Sequence, residues 1–293
     1  MKPIRKIVIP AAGVGTRGLP FSKEIPKELV PIVDTPALHL IVEEAIRAGI
    51  EQVVLITSKG KSALEDYFDP SPALEAFLRG RGKNELADRV KKIGQMVEVI
   101  SVRQKEPLGL GHAVLCARPV LGDEPFAVAL GDEIFPTANS PRGLQFLCKA
   151  AEQGVSTIGV LPVESKDVNQ YGIIDTGGAK LGDGACKVLR TVEKPTPDKA
   201  PSPYAIIGRY AFHPEILDAL KEVRPGSGGE IQLTDGLDTL ARAGRLQAVL
   251  FDSNRYDVGN HLYYVLAQVD EALRRPELAS RLRPLLQARL EAK

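Results

Sequence analysis

The residues that most restrict the fold run from Ile7 to Pro31 and read IVIPAAGVGTRGLPFSKEIPKELVP. The apolar run Ile7-Val8-Ile9 leads into Ala11-Ala12 and then Gly13-Val14-Gly15-Thr16-Arg17. Lys23, Lys27, Pro20, Pro26 and Pro31 follow at once. A buried strand that opens into a loop of small residues exposes several backbone N–H groups with no Cβ in the way. Such a loop can cradle phosphate oxygens, and Arg17, Lys23 and Lys27 supply charge that a backbone cannot. The stretch reads as the floor of a nucleoside triphosphate site.

Two rivals are weaker. Gly13–Gly18 fits G-x-G-x-x-G by the letter, but a dinucleotide fold needs its third glycine to open a helix and an acidic strand end about 20 residues on. Pro20, Pro26 and Pro31 prevent any long helix there, and Asp34 sits in the turn Val33-Asp34-Thr35-Pro36. A structural glycine turn with solvated lysines is the usual fate of a lone GxG. It does not account for G-x-G-T-R together with P-K-E.

The pattern G-x-G-T-R-x-x-P-x-[ST]-K-x-x-P-K-E, here Gly13–Arg17, Pro20, Ser22-Lys23 and Pro26-Lys27-Glu28, resembles the signature of the sugar-1-phosphate nucleotidylyltransferases. Within them the chain is most similar to the bacterial UTP–glucose-1-phosphate uridylyltransferases, and the likeness continues to about residue 270. The resemblance implies nucleotide contacts from Ala11, Ala12, Gly13, Gly15, Thr16, Arg17, Lys27 and Glu28. It also implies substrates UTP and glucose 1-phosphate, a Mg²⁺ cofactor, and a homo-oligomer (dimer or tetramer).

Composition narrows the setting. A net charge of +1 gives no general attraction to nucleic acid or anionic membrane. Positive charge is instead local to the first thirty residues, which suits a small anion. Cys116, Cys148 and Cys186 form no C-x-x-C pair, which argues for a reducing compartment and against a zinc site. The N-terminal apolar run is too short for a signal peptide, and no segment approaches the ~20 apolar residues of a membrane span. A cytoplasmic protein is expected.

The spacing predicts a helix over Ala37–Ala48 ending at Gly49, a buried strand over Val53–Thr57, and helices over Lys61–Phe68 and Pro72–Lys92, the last broken near Gly80–Gly82. Val97–Arg103, Phe126–Leu130 and Val155–Val163 read as strands, Gly111–Ala117 as a helix start and Pro141–Gln153 as a helix. This alternation predicts an α/β fold, Rossmann-like, with a mostly parallel open sheet covered by helices on both faces. Tyr171–Asp175, Lys187–Glu193 and Ala205–Phe212 are strand-like without intervening helices, and predict a smaller β-rich lobe over about 164–229, which the resemblance makes sugar-binding. Pro214–Val223 and Glu230–Ala243 return to helix, and Leu246–Phe251 is a last strand. One nucleotidyltransferase unit over 1–270 is expected, then a helical tail over 271–293; the helices at this end are expected over His261–Arg274 and Glu277–Leu290, the second interrupted at Pro284.

In an open α/β sheet, ligands sit at the carboxyl ends of the strands. Ala11–Gly13, Gln104, Asp132 and the Asp252–Asp257 turn lie at such ends. A glutamine amide offers one acceptor and two donors, which can match the O4 and N3–H edge of uracil. The resemblance implies that role for Gln104 with Gly111, through G-L-G-H-A-V. His112 by itself reads as structural. Asp132, after Leu130-Gly131, suits a hard cation such as Mg²⁺, and the family places its metal aspartate there. Close relatives commonly have proline where Gly131 stands, and Leu-Gly-Asp is more usual in the thymidylyl branch. Glu193 can accept from sugar hydroxyls and Lys194 can hold a phosphate. The resemblance makes Thr191–Pro195 with Asn169–Gly172 the sugar-phosphate site, including Gly131, Tyr171 and Gly172, and gives Asp257 a second metal role. Gly228–Asp235 reads mainly as a helix start with acidic residues near its positive end. The expected catalytic set is Arg17, Lys27, Asp132 and Lys194, acting by positioning and electrostatics without a covalent intermediate. A thymidylyltransferase, or a non-catalytic paralogue that binds nucleotide sugar and modulates a partner, are the alternatives.

Overall fold

The protein is described from a computed structural model covering residues 2–135, 143–226, 229–251 and 253–292. Pro141, Gly228 and Asp252, each named above, lie outside the described residues. In chain order the strands are β1 (Lys6–Pro10), β2 (Pro31–Ile32), β3 (Thr35–Pro36), β4 (Gln52–Thr57), β5 (Glu98–Arg103), β6 (Phe126–Ala129) and β7 (Glu133–Ile134). They continue as β8 (Ser156–Pro162), β9 (Gly172–Asp175), β10 (Cys186–Lys187), β11 (Arg190–Glu193), β12 (Tyr204–Phe212), β13 (Leu246–Leu250) and β14 (Tyr256–Asp257). The helices are α1 (Ala37–Arg47), α2 (Ala63–Asp66), α3 (Pro72–Gly80), α4 (Asn84–Ile93), α5 (Leu110–Cys116) and α6 (Arg118–Leu121). After these come α7 (Leu144–Ala151), α8 (Glu215–Glu222), α9 (Leu233–Arg242), α10 (His261–Arg274) and α11 (Pro276–Glu291).

The main sheet runs β10-β13-β8-β12-β6-β1-β4-β5. Parallel pairs join β5, β4, β1 and β6, and also β8 and β13. Ile7, Val8 and Ile9 are apolar without alternation because β1 is central and covered on both faces. Ile7 and Ile9 point into one core with Leu38, Ile41 and Leu144 from α1 and α7. Val8 points the opposite way, toward Val114 of α5, Leu220 of α8 and Leu237 of α9. The sheet is therefore the middle of three layers.

The β-rich stretch differs from expectation. β12 does not belong to a separate lobe: it runs antiparallel between β6 and β8 in the centre of the main sheet, and β10 is its far edge strand. Only β9 and β11 stand off, paired with each other and tied to β12 through Ala205 and Ile173. The nine residues YAIIGRYAF, apolar or small apart from the buried Arg209, are long enough to span both regions. The tail also differs. Pro284 lies within α11 without ending it, whereas α10 has the bounds expected for it, His261–Arg274. α10 packs on its own chain: Gln268 Oε1 accepts from Val33 N at 2.7 Å, and Arg275 pairs with Asp34 at 2.7 Å.

Candidate active site

The loop after β1 is held from behind. Ala11 N donates to Ile56 O at 2.8 Å, and Lys61 Nζ donates to Ala11 O at 2.5 Å. Ala11 and Ala12 are buried, whereas Gly13, Val14 and Thr16 are exposed. Gly15 takes the left-handed conformation (φ 72°), and its carbonyl accepts from Ser22 Oγ at 2.8 Å. A Cβ added at Gly15 would meet Lys27 Cδ at 3.7 Å, so the turn and the lysine stem pack together. At Gly13 a Cβ would meet no protein atom within 4 Å; the position borders open space, where a bare backbone lets a ligand approach.

Charge converges on the far side of this loop. Lys27 Nζ lies 2.6 Å from Asp132 Oδ2, and Arg17 Nη2 lies 3.4 Å from the same oxygen. Arg17 Nη1 reaches Asp257 Oδ2 at 2.7 Å. The two aspartates come together because β7 and β14 pair antiparallel, with Val258 N donating to Asp132 O at 2.8 Å. The expected Asp257 turn is thus a short strand. Burial pushes the Asp132 carboxyl up, but Lys27 and then Arg17 outweigh it and hold the group below the usual carboxylate range. Burial likewise opposes the charge of Lys27, and Asp132 overcomes it, leaving the ammonium above its ordinary value. Two carboxylates at an open cleft are hard oxygen donors of the kind a divalent ion takes alongside phosphate and water. Among the described residues no cluster of three or more His, Cys, Asp or Glu side chains is arranged to hold a metal alone, so phosphate oxygens would complete the set.

A second group of residues lies on the β9–β11 ladder, where Glu193 is paired with Gly172. Glu193 Oε2 accepts from Thr234 Oγ1 at 2.6 Å, and its Oε1 lies 3.4 Å from Lys194 Nζ. A Cβ at Gly172 would stand 3.0 Å from Thr234 Oγ1 and 3.3 Å from Glu193 Oε2, so glycine keeps this carboxylate in place. Lys194 has φ 45°, unusual for a side chain with a Cβ; its N–H donates to Tyr171 O at 3.0 Å. Strain of this kind costs about 1–3 kcal/mol and clusters at functional sites. The Lys194 side chain is 58% exposed, and among the described residues its partner is Glu193.

Arg255 links the two groups. Its guanidinium lies 4.8 Å over the Tyr171 ring, 3.0 Å from Glu133 and 4.0 Å from Asp257. The sequence reading missed this residue, although it stands two positions before Asp257 in a turn already marked as a strand end. Lys61 was missed too; its partner is Glu28, at 3.2 Å.

Three residues expected at the ligand are buried against the protein itself. Glu28 is wholly buried against Lys61, and burial raises its carboxyl despite Lys61 and Lys27. Gly131 is buried because a Cβ there would lie 2.9 Å from Glu28 Cγ. Gly111 donates its N–H to Ile231 O at 2.9 Å, and a Cβ would meet that oxygen at 2.8 Å. These glycines are required by packing. Gln104, at the end of β5, does not keep both donors for a base: Nε2 donates to Gly109 O at 3.1 Å and faces His112 Nδ1 at 2.9 Å.

Fold and cleft define a protein that brings phosphate-bearing anions together on a glycine floor. The chain belongs to the nucleotidyl transferase family, whose sequence model matches residues 6–272. It is 47% identical to the UTP–glucose-1-phosphate uridylyltransferase of Bacillus subtilis, over 99% of this chain and 98% of that protein. A second Bacillus subtilis protein of that name, YngB, is 46% identical over 96% of this chain and 94% of its own length. Among solved structures, UTP-bound UGPase from Acinetobacter baumannii is 37% identical with a TM-score of 0.89, covering 97% of this chain and 99% of that one. A UDP-glucose pyrophosphorylase complexed with UDP-glucose is 38% identical with a TM-score of 0.82, covering 93% of this chain and 100% of that one.

Proposed function

We propose that this chain transfers a uridylyl group from UTP to glucose 1-phosphate, giving UDP-glucose and pyrophosphate. The observation that carries the reading is the convergence of Arg17 and Lys27, both from the glycine-loop region, on one oxygen of Asp132. It stands in a chain similar over its whole length to enzymes named for that reaction.

Both reactants are highly charged anions that repel each other. An oxygen of glucose 1-phosphate attacks the α-phosphorus of UTP, the bond to the β-phosphate breaks, and pyrophosphate leaves with the electron pair. The attacking oxygen is already anionic, so no protein nucleophile is required. Burial also pushes the thiols of Cys116 and Cys148 upward, Cys148 to about 12, which leaves them inert. Catalysis is then positioning plus electrostatic stabilisation. Arg17 holds the departing β- and γ-phosphates, Lys27 neutralises charge at the α-phosphate, and Lys194 steers the incoming phosphate. Glu193 accepts from sugar hydroxyls beside Tyr171 and Gly172. Asp132 and Asp257 would hold the divalent ion, which we take to be Mg²⁺; when bound, it would supply positive charge against that of the phosphates.

The enzyme acts on small anions in the cytoplasm as a homo-oligomer of two or four copies. The exposed apolar face of α10, with Leu262, Val265 and Leu266, supports self-association. No helix among the described residues is long and apolar enough to cross a membrane.

The test is release of pyrophosphate from UTP and glucose 1-phosphate, run against dTTP. UTP is expected to be the better nucleotide. Faster reaction with dTTP would assign the thymidylyl branch, and nucleotide-sugar binding without pyrophosphate release would make the chain a non-catalytic paralogue.

A further inference from the structure

Gln104 has its hydrogen-bonding choices removed by its neighbours. Its backbone N–H donates to Thr57 O at 2.9 Å, which fixes where the side chain starts. The Gly109 carbonyl, 3.1 Å from Nε2, can only accept. Exchanging the amide oxygen and nitrogen would set two oxygens against each other at Gly109, which opposes the flip. The other Nε2 hydrogen meets His112 Nδ1 at 2.9 Å. That nitrogen must therefore accept, and the neutral ring carries its proton on Nε2. Both donors of the amide are committed. Among the described residues its Oε1 has no hydrogen bond, and it is not enclosed: the one enclosed side-chain N or O atom lacking a hydrogen bond there is Arg255 Nε, which is ion-paired with Glu133.

The platform under this amide is itself pinned. Gly109 is left-handed (φ 95°), and a Cβ there would lie 2.9 Å from both Glu230 Cβ and Ile231 O. Ile231 N donates to Leu108 O at 2.7 Å, and Ile231 O accepts from Gly111 N at 2.9 Å. The Glu230-Ile231 strap thus grips the loop on both sides of Gly109, which gives the Gly228–Asp235 motif a purpose beyond starting α9.

We propose that His112 is a specificity-determining positioning residue: with the Gly109 carbonyl, it locks Gln104 so that only an acceptor faces the base. A pyrimidine with an N3–H, uracil or thymine, satisfies that acceptor. Cytosine presents a lone pair at N3 and meets oxygen against nitrogen, with no donor able to turn toward it. A free amide would flip to suit either base; the lock is what separates them. The inference rests on the reading of Gln104 as the base contact.

The experiment measures kcat/KM for UTP and for CTP in wild type, Gln104→Ala, His112→Phe and His112→Asn. His112→Phe keeps a ring but has no acceptor, and is expected to lower the UTP-to-CTP ratio by about ten-fold or more. The change should fall in KM for the nucleotide and leave KM for glucose 1-phosphate in place. His112→Asn, whose carbonyl can accept in place of Nδ1, should recover part of the ratio. A merely structural histidine would move both nucleotides equally. If both His112 variants keep the wild-type ratio while Gln104→Ala loses it, the lock is overturned and the base contact stands. If Gln104→Ala keeps the ratio as well, the base contact itself fails and takes the lock with it. Should His112→Phe not fold, His112→Leu against His112→Asn carries the same contrast.

Discussion

Two ion-pair clusters in this protein use the same residue types to opposite ends. Arg209 of β12 is wholly buried, with Nη2 2.8 Å from Glu44 Oε2 and Nε 3.1 Å from the same oxygen. Nη1 donates to Gly208 O and Nη2 to Glu133 O, both at 2.9 Å, and the guanidinium lies 4.7 Å over Phe135. The cluster is closed, because each nitrogen already has a partner. In the cleft, Arg17 and Lys27 share Asp132, and Arg17 is 59% exposed. Its carboxylate partners can be exchanged for phosphate oxygens at modest cost, since water and ligand reach the same side. Charge in a protein interior can fasten elements; charge held at an edge with replaceable partners can receive an anion.

Removing one partner from each cluster breaks the comparison most sharply. Glu44→Ala leaves a guanidinium uncompensated in the core and is expected to cost about 3–5 kcal/mol of unfolding free energy, read by urea denaturation. Arg17→Ala and Asp132→Asn should instead cut turnover by roughly a hundred- to a thousand-fold, equivalent to ~2.7–4 kcal/mol of transition-state stabilisation. For Arg17→Ala the melting temperature should barely move. A steady-state rate near wild type would remove either residue from the mechanism. The smallest effect concerns pH. Because Asp132 is held below its ordinary value, its pairing stabilises fully above that value and is lost as pH falls through the lower folded one. Lys27, raised, keeps its proton to beyond the ordinary lysine range. Denaturation midpoints of wild type and Asp132→Asn should thus differ by a constant amount near neutrality and converge only below about pH 4. A gap that closed nearer pH 7 would show that Asp132 is not held by these cations.

The layers of the fold were legible because they rest on local pattern. Ile7-Val8-Ile9 announced a strand covered on both faces, and Gly82 (φ 72°) marks the break expected between α3 and α4. β12 was misplaced because a mostly apolar run looks the same in a lobe and in a sheet centre. Pro284 was read as a break, but it is exposed in a helix with no buried residue, so a solvated turn absorbs the lost hydrogen bond. In the candidate site, the sequence offers residue types and does not give their depth. Glu28 lies beside Lys27 in sequence, yet one is wholly buried and the other reaches Asp132. Nothing local distinguishes a carboxylate that meets ligand from one that braces the floor.

The sequence by itself determined the strand-and-glycine floor, the stock of cations around it, and the helical and extended periodicities, since each depends on neighbours a few residues apart. Only the tertiary structure decided that Arg17 meets Asp257 across 240 residues, that Arg255 bridges Tyr171 to the aspartates, and that His112 commits the amide of Gln104. Those contacts depend on the order of strands in the sheet and on the β7–β14 pairing, and side-chain chemistry read along the chain carries no record of which strand ends become neighbours.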